Sequence, residues 1–464
     1  MKKTISGVLL ALTAVFTLAG CKKSSSTTIS FYCWNEEFKT RLNELYPEVK
    51  KAEGSKTTLK NGVVINWVQS PNQSAVYQNS LDVALDNDLV DMFCFEADYA
   101  TKYVKSNFVA DMGELGIKQD NQYKYTKDIV TNASGKIVGS SWQATPGIIC
   151  YNTTVAKAVF GDSVSHADME TNLNTWDKFV ESAAAAKTAG KKMLIGTDDW
   201  FRVYQNNLTA KMFDGKNIAI DKQLFQWVKD TRDFADEEYI FSTSADYGLW
   251  KDAWGAKQGD DDCLCVFSCP WFTDFCLTGN VQPENKESGN YTDLGYKAVA
   301  GYKSWFWGGT WLTATKKGVE DSKKKDTIKD IIAKMTTDTD LLKKLAIKYG
   351  DFTNDKPAME ALAASDEGNS KLFGGQNVVA IYAKSVLAAD LSKASDYDQQ
   401  ICENIQSSFR AYFQDGTDHK DAATCLAAFQ KALTEVIPEL SREKDPGTFT
   451  TPGVTISGET ITIA

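Results

Sequence analysis

The chain has 464 residues, with 61 acidic side chains against 51 basic ones and only two histidines, His166 and His419. Its formal charge of −10 argues against nucleic acid and anionic lipid as general partners, and two histidines leave little room for histidine catalysis or a histidine zinc site. The length exceeds what one hydrophobic core usually organises, so two lobes are expected.

The first element is MKKTISGVLLALTAVFTLAGC, in which two lysines precede an apolar run from Gly7 to Leu18, followed by Ala19 and Gly20 ahead of Cys21. This is an export signal, too short to span a bilayer. Leu18-Ala19-Gly20-Cys21 resembles the lipobox of bacterial lipoproteins, which implies that residues 1–20 are removed and that Cys21 carries the lipid, with residues 21–28 as a polar tether. Losing Lys2 and Lys3 takes the charge to about −12 at neutral pH. The cysteines that remain are Cys33, Cys94, Cys150, Cys263, Cys265, Cys269, Cys276, Cys402 and Cys425. Their odd number argues against a fully paired disulfide framework, and the spacing from Cys263 to Cys276 matches no standard zinc motif. They read as small buried hydrophobes, with one or two disulfides left open.

Next, ISFYCW (29–34), VVINWV (63–68) and VDMFCF (90–95) read as strands. The segments between them carry apolar residues at helical spacing, Phe38, Leu42 and Leu45 in one and Tyr77, Leu81, Ala84 and Leu85 in the other. The order βαβαβ predicts a parallel sheet with right-handed crossovers, and such sheets bind ligands at the carboxyl ends of their strands. Trp34, Asn35 and Glu36 follow the first strand; Glu96, Asp98 and Tyr99 follow the third. From about residue 150 the pattern turns helical, with Thr175 as an N-cap and Gly190 as a stop. The last segment, 441–464, alternates weakly and reads as an edge strand or a loose tail.

Taken in order, ISFYCWNEEF, DMFCFEADYATKYV, SSWQATPGIICYN, TWDKFVESA, DDWFRVY, WFWGGTWLTATKKG and YGDFTNDKPAME resemble the carbohydrate-binding lipoproteins of bacterial ABC importers, the extracellular solute-binding proteins of the maltose-binding type. The resemblance implies an α/β, two-lobed periplasmic-binding-protein-like fold (type II) with a hinge and a ligand cleft between the lobes. It places residues 29–145 plus about 300–345 in a first lobe and 146–299 plus about 346–440 in a more helical second lobe. It further implies a monomeric binder without enzymatic activity, cofactor or metal. Such a binder is held at the extracytoplasmic side of the cell envelope and partners a carbohydrate and the permease subunits of the importer.

A sugar ring is apolar on its C–H faces and lined with hydroxyls at its rim, so tryptophan faces and carboxylate or amide edges suit it. The residues expected to grip it are Trp34, Asn35, Glu36, Glu96, Asp98, Trp142, Gln143, Asp199, Trp200, Arg202, Trp271, Trp305, Trp307 and Trp311, with Asp351 and Asn354 as weaker candidates. Trp305, Trp307 and Trp311 share one face if YKSWFWGGTW is a regular strand. Trp67, Trp176 and Trp227 are expected in the core. Two other readings compete: a secreted glycoside hydrolase, which needs a carboxylate pair, and a binder of the same fold for another solute such as a polyamine. An adhesive lipoprotein without a soluble ligand is a further alternative.

Overall fold

A computed structural model describes residues 27–72 and 75–464, so the leader and Cys21 lie outside the described residues. Ten strands form its two main sheets: β1 (Thr28–Cys33), β2 (Val49–Glu53), β3 (Lys56–Leu59), β4 (Val64–Gln69), β5 (Met92–Glu96), β6 (Ser140–Ser141), β7 (Ile148–Asn152), β8 (Cys265–Ser268), β9 (Tyr296–Val299) and β10 (Thr310–Ala314). The first sheet has the order β2-β3-β4-β1-β5-β10-β6, the second β9-β7-β8.

Strict alternation in β1 turns Ile29, Phe31 and Cys33 inward. β1 pairs in parallel with β4 and with β5, and helices Glu37–Leu45 and Val76–Asp86 make the crossovers, as the periodicity predicts. A β2–β3 hairpin precedes β4. Strand β10 lies antiparallel beside β5, so a distant part of the chain completes the first lobe. Helices Ser322–Thr337 and Thr339–Tyr349 bury Ile328, Ile331, Leu342 and Leu345 in that same core with Ile29 and Phe31. A larger core gathers Phe179, Trp227, Ile405, Phe409 and Phe429 with the strand residues Ile149 and Val266 into the second lobe. The Thr175 hydroxyl caps helix Trp176–Thr188 by accepting from the Lys178 amide.

The C-terminal segment is ordered against this second lobe. Phe449–Thr450 pairs with Ile218–Ala219, Val454–Ser457 and Thr460–Ile463 form a hairpin, and Ile461 is buried in the core. All nine described cysteines are unpaired thiols, eight of them buried and Cys276 half-buried. Burial pushes the Cys150 thiol up to about 12, which keeps it from reacting as a thiolate.

Three segments carry the chain between the lobes, and they are bonded to one another. The Gly147 amide donates to the Trp305 carbonyl at 2.7 Å and the Trp307 amide to that of Thr145 at 3.0 Å; Ala144 and Asn354 pair in the same way with Phe352 and Trp142, each at 2.9 Å. The crossing at 350–355 lies a few residues beyond the lobe boundary near 345 that the resemblance implies. Helix Glu37–Leu45 is tied to two of the three segments. Arg41 Nε donates to Asp351 Oδ2 at 2.7 Å, and Gln143 Nε2 donates to Glu37 Oε1 at 3.2 Å.

At Gly147 the backbone passes directly over the buried Trp305 indole: a Cβ there would lie 2.0 Å from the ring. Gly147→Ala therefore forces the ring or the crossing strand to move, and overpacking of this kind costs about 1–3 kcal/mol. The expected result is a lower urea midpoint with an unchanged m-value; an unchanged midpoint would show that the ring yields freely.

Candidate functional site

The carboxyl ends of β1, β4 and β5 meet the second lobe across a polar, aromatic wall. Asp98, just after β5, accepts both oxygens' worth of hydrogen bonding from Arg202 Nη1, at 2.9 and 2.8 Å, and Gln205 Nε2 reaches the same carboxylate at 3.4 Å. Arg202 belongs to the short second-lobe helix Phe201–Gln205, so this ion pair joins the lobes. Its guanidinium also lies 5.5 Å from the Trp307 ring centroid, a cation–π contact.

Glu96 ends β5 and is only partly buried. Asn72 donates to its Oε2 at 2.9 Å, and Tyr99 donates to the Asn72 side chain at 3.3 Å. Burial, then the neighbouring Asp98 charge, push the Glu96 carboxyl up to about 7, against the pull of Arg202. Gly308 makes room for this carboxylate, since a Cβ at that position would sit 3.0 Å from Glu96 Oε1 and 3.7 Å from Trp271 Nε1. The same indole nitrogen donates to the Trp307 carbonyl at 2.8 Å.

Around Trp271 the second lobe assembles an aromatic cluster. Trp271 meets Trp307 edge-on at 5.1 Å, Phe272 stacks on Trp307 at 5.4 Å, and Trp250 stacks on Trp271 at 6.1 Å. Trp250 is 54% exposed and has φ = 73°. A bulky residue in the left-handed region is strained, and strain of that kind clusters where a side chain must be displayed. Asp199 holds the cluster from behind: its carboxylate accepts from the Ile195 and Gly196 amides and from Trp254 Nε1 at 2.7 Å, and Trp254 lies edge-on to Trp250.

Of the residues expected from the sequence, Glu96, Asp98, Arg202, Trp271 and Trp307 come together here. Trp34 borders them on the first lobe, half-buried and edge-on to Tyr77 and Tyr99, with Asn35 and Glu36 exposed beside it. Asn35 Oδ1 accepts from the Glu37 amide at 3.1 Å, and Glu36 pairs with Lys39 at 2.8 Å. Gln143 is buried on Glu37.

Four tryptophans need correction, because the structure encloses them in the cores. Trp142 packs on Phe38; Trp200 packs on Phe234 and donates to Thr231. Trp305 lies against Gly147, and Trp311 stacks on Phe95 and donates to the Thr126 carbonyl. Nor do Trp305, Trp307 and Trp311 share one face. Gly308 and Gly309 both have positive φ and break the run, which sends Trp305 and Trp307 to the second core and Trp311 to the first. Asp199 supports the wall and does not line it, and Asn354 is buried in contacts with Tyr123, Thr126 and Ser141. Sequence reasoning missed Asn72 and Trp250. The loop YGLWKDAW offers a tryptophan beside glycine, but its left-handed backbone has no periodic signature.

Residues 42–261 match the family model described as bacterial extracellular solute-binding protein. No curated protein sequence matches the chain. Among solved structures, a crystal structure of an extracellular solute-binding protein family 1 member is 14% identical with a TM-score of 0.66, covering 88% of this chain and 99% of that one. The ABC transporter associated binding protein of B. animalis subsp. lactis, in complex with β-1,6-galactobiose, is 17% identical with a TM-score of 0.61 and coverage of 92% and 100%. Maltose-bound T. maritima MalE3 is 12% identical with a TM-score of 0.59 and coverage of 89% and 100%. With two lobes, a three-segment hinge and a wall of paired charges and tryptophans between them, the chain has the two-lobed type II fold of the extracellular solute-binding proteins, whose family model its residues 42–261 match.

Proposed function

We propose that the protein captures a sugar between its lobes and presents the closed form to the permease of an ABC importer, held at the extracytoplasmic face of a membrane by a lipid on Cys21. One observation carries this reading: Trp250 and Trp271, backed by the buried Trp307, stand with Glu96 and the Asp98–Arg202 pair in a single wall. Aromatic faces meet the C–H surface of a sugar, while the carboxylates and the guanidinium replace the water its hydroxyls give up. Leaving such a hydroxyl unpaired would cost about 1–3 kcal/mol. The sugars held by structures of the same fold support the reading. A polyamine would favour carboxylates without an arginine among them.

Capture suits these residues better than hydrolysis. A glycosidase needs a second carboxylate free to attack or to activate water, and here Asp98 has both oxygens on Arg202. Tethering confines the binder in front of the permease and raises its effective concentration there. Closure is a population shift, driven by tighter binding to the closed form. The energy for import comes from ATPase subunits, because the sequence has no G-x-x-x-x-G-K-[ST] phosphate loop.

Tryptophan fluorescence during titration with a saccharide panel tests the proposal. A saturable change with one sugar, weakened at least tenfold in Trp250→Ala and Trp271→Ala, is the expected result. Flat titrations with every sugar, or steady product formation from an oligosaccharide, would overturn it.

The raised pKa of Glu96 gives a second expectation. Below about 7 the carboxyl is protonated, and above it the carboxylate accepts hydrogen bonds more strongly from sugar hydroxyls. Affinity therefore rises from pH 6 to pH 8, by about threefold to tenfold for a shift of this size in one contact. Glu96→Gln, which cannot titrate, flattens the profile. A wild-type profile that is level, or that falls with pH, would remove Glu96 from the contact.

A further inference from the structure

We propose that residues 387–397 form a strap, rooted in the second lobe and seated on the first, which together with the Asp98–Arg202 pair beneath it holds the lobes closed before any solute arrives. The inference rests on the two-lobed fold alone and goes beyond the capture proposed above, which asks only that solute favour the closed form.

The strap joins helix Val378–Val386 to helix Asp398–Phe413. Helix–helix connections usually take about 2–8 residues, so this one is longer than the join requires. Its root is fixed within the second lobe. The Ser395 amide and hydroxyl donate to the two oxygens of Asp398, at 2.7 and 2.6 Å, and the same hydroxyl accepts from the Phe213 amide at 3.2 Å. Tyr397 lies edge-on to Phe213 with ring centroids 5.1 Å apart and donates to Glu439 at 2.9 Å. Its φ is 68°, a conformation that disfavours a bulky residue and persists only where the surroundings over-determine it.

The tip of the strap rests on the other lobe. Ala389, Leu391 and Ala394 pack against the apolar cluster that holds Tyr103, Val104 and Ile129, and Leu391 and Ala394 share one cavity wall with Val104 and Ile129. Asp396 pairs with Lys105 at 2.8 Å, directly after helix Ala100–Val104. Just past the root, Gln399 accepts from Gln78 of helix Val76–Asp86 at 2.8 Å. One segment of the second lobe therefore reaches two helices of the first.

The strap also covers the ion pair that joins the lobes. Ala388, Leu391 and Ala394 line a cavity of about 150 Å³ together with Asp98 and Gln205. Apolar side chains beside Asp98 keep water from the Asp98–Arg202 pair, and a charge pair strengthens as its surroundings lose water. Singly, an exposed ion pair or a neutral hydrogen bond contributes little. Here they act jointly, because one root presents them all at once and the strap is already ordered when it meets the first lobe. Solute enters only after the strap lets go, so its association is slower than free encounter.

Small-angle X-ray scattering tests the inference on the protein freed of bound solute by dialysis. The wild type should match the curve calculated from this structure. Leu391→Asp sets a charge against Val104 and Ile129 and beside Asp128; it should open the lobes and raise the radius of gyration. Ala394→Asp, at the same seat, should act in the same direction, whereas Leu391→Met, which conserves volume, should leave the curve unchanged. Matching far-UV circular dichroism shows each variant folded. A solute-free wild type that already scatters as an open molecule overturns the strap. So does a curve unmoved in both charged variants, or a Leu391→Met curve that shifts as far as theirs. None of these results bears on the sugar reading, which the saccharide titrations decide.

Discussion

The rest of the molecule depends on the way three crossing segments bond to one another. Thr145, Gly147, Trp305 and Trp307 share main-chain hydrogen bonds, as do Trp142, Ala144, Phe352 and Asn354. Each lobe builds its own core, and this narrow braid carries the chain from one to the other. Arg41 and Glu37 anchor the braid to the first lobe through Asp351 and Gln143. The Arg41–Asp351 pair is expensive to break one-sidedly, because removing either partner leaves a charge stranded away from water, at about 3–5 kcal/mol. The helix that carries Arg41 and Glu37 begins just after Trp34, Asn35 and Glu36, so a solute resting on those residues lies one helical turn from the hinge.

How far the sequence discloses this depends on the kind of signal. Alternation in ISFYCW and VVINWV and helical spacing around Leu42 and Leu81 are local, and they lead directly to β1, β4, β5 and their crossover helices. The third crossing at Asp351 has no such mark: YGDFTND reads equally well as a loop. Aromatic richness was legible but its direction was not. In WFWGGTW the two glycines reverse the backbone, and a one-residue change of course decides whether an indole faces core or cleft. Trp142, Trp200, Trp305 and Trp311 are inside, each answering a packing need that only the tertiary structure creates. Trp250 is outside through a backbone conformation that tryptophan itself disfavours. Such conflict between local preference and position is most common where a protein does its work.

Nine unpaired cysteines among the described residues, in a chain we propose to be exported, invite the same kind of reasoning. Exported proteins commonly close disulfides, yet these thiols are distributed through both cores as packing residues, Cys33 and Cys94 in the first and Cys150, Cys263, Cys265 and Cys269 in the second. Their burial raises the cost of forming a thiolate, and a thiolate is what exchange chemistry requires. Stability here comes from two large cores, with no need of cross-links to restrain the unfolded chain.

On the capture proposed above, opening and closing are decided by the few contacts that cross between the lobes away from the hinge. Lys105 and Asp396 are paired at 2.8 Å near the surface, and such pairs contribute little. Gln78 and Gln399 share one neutral hydrogen bond. Asp98 and Arg202 are different: two short charge-assisted bonds in a partly buried site hold the lobes together on their own. A solute that displaced this pair would lose what the pair contributes to closure, whereas one that leaves it intact, and fills the space between Glu96 and the tryptophans, adds its own contacts to a bridge already made. Only contacts made to both lobes at once discriminate the closed form from the open one. The wall meets that condition, since Glu96 belongs to the first lobe, Trp271 to the second, and Gly308 to the segment that joins them.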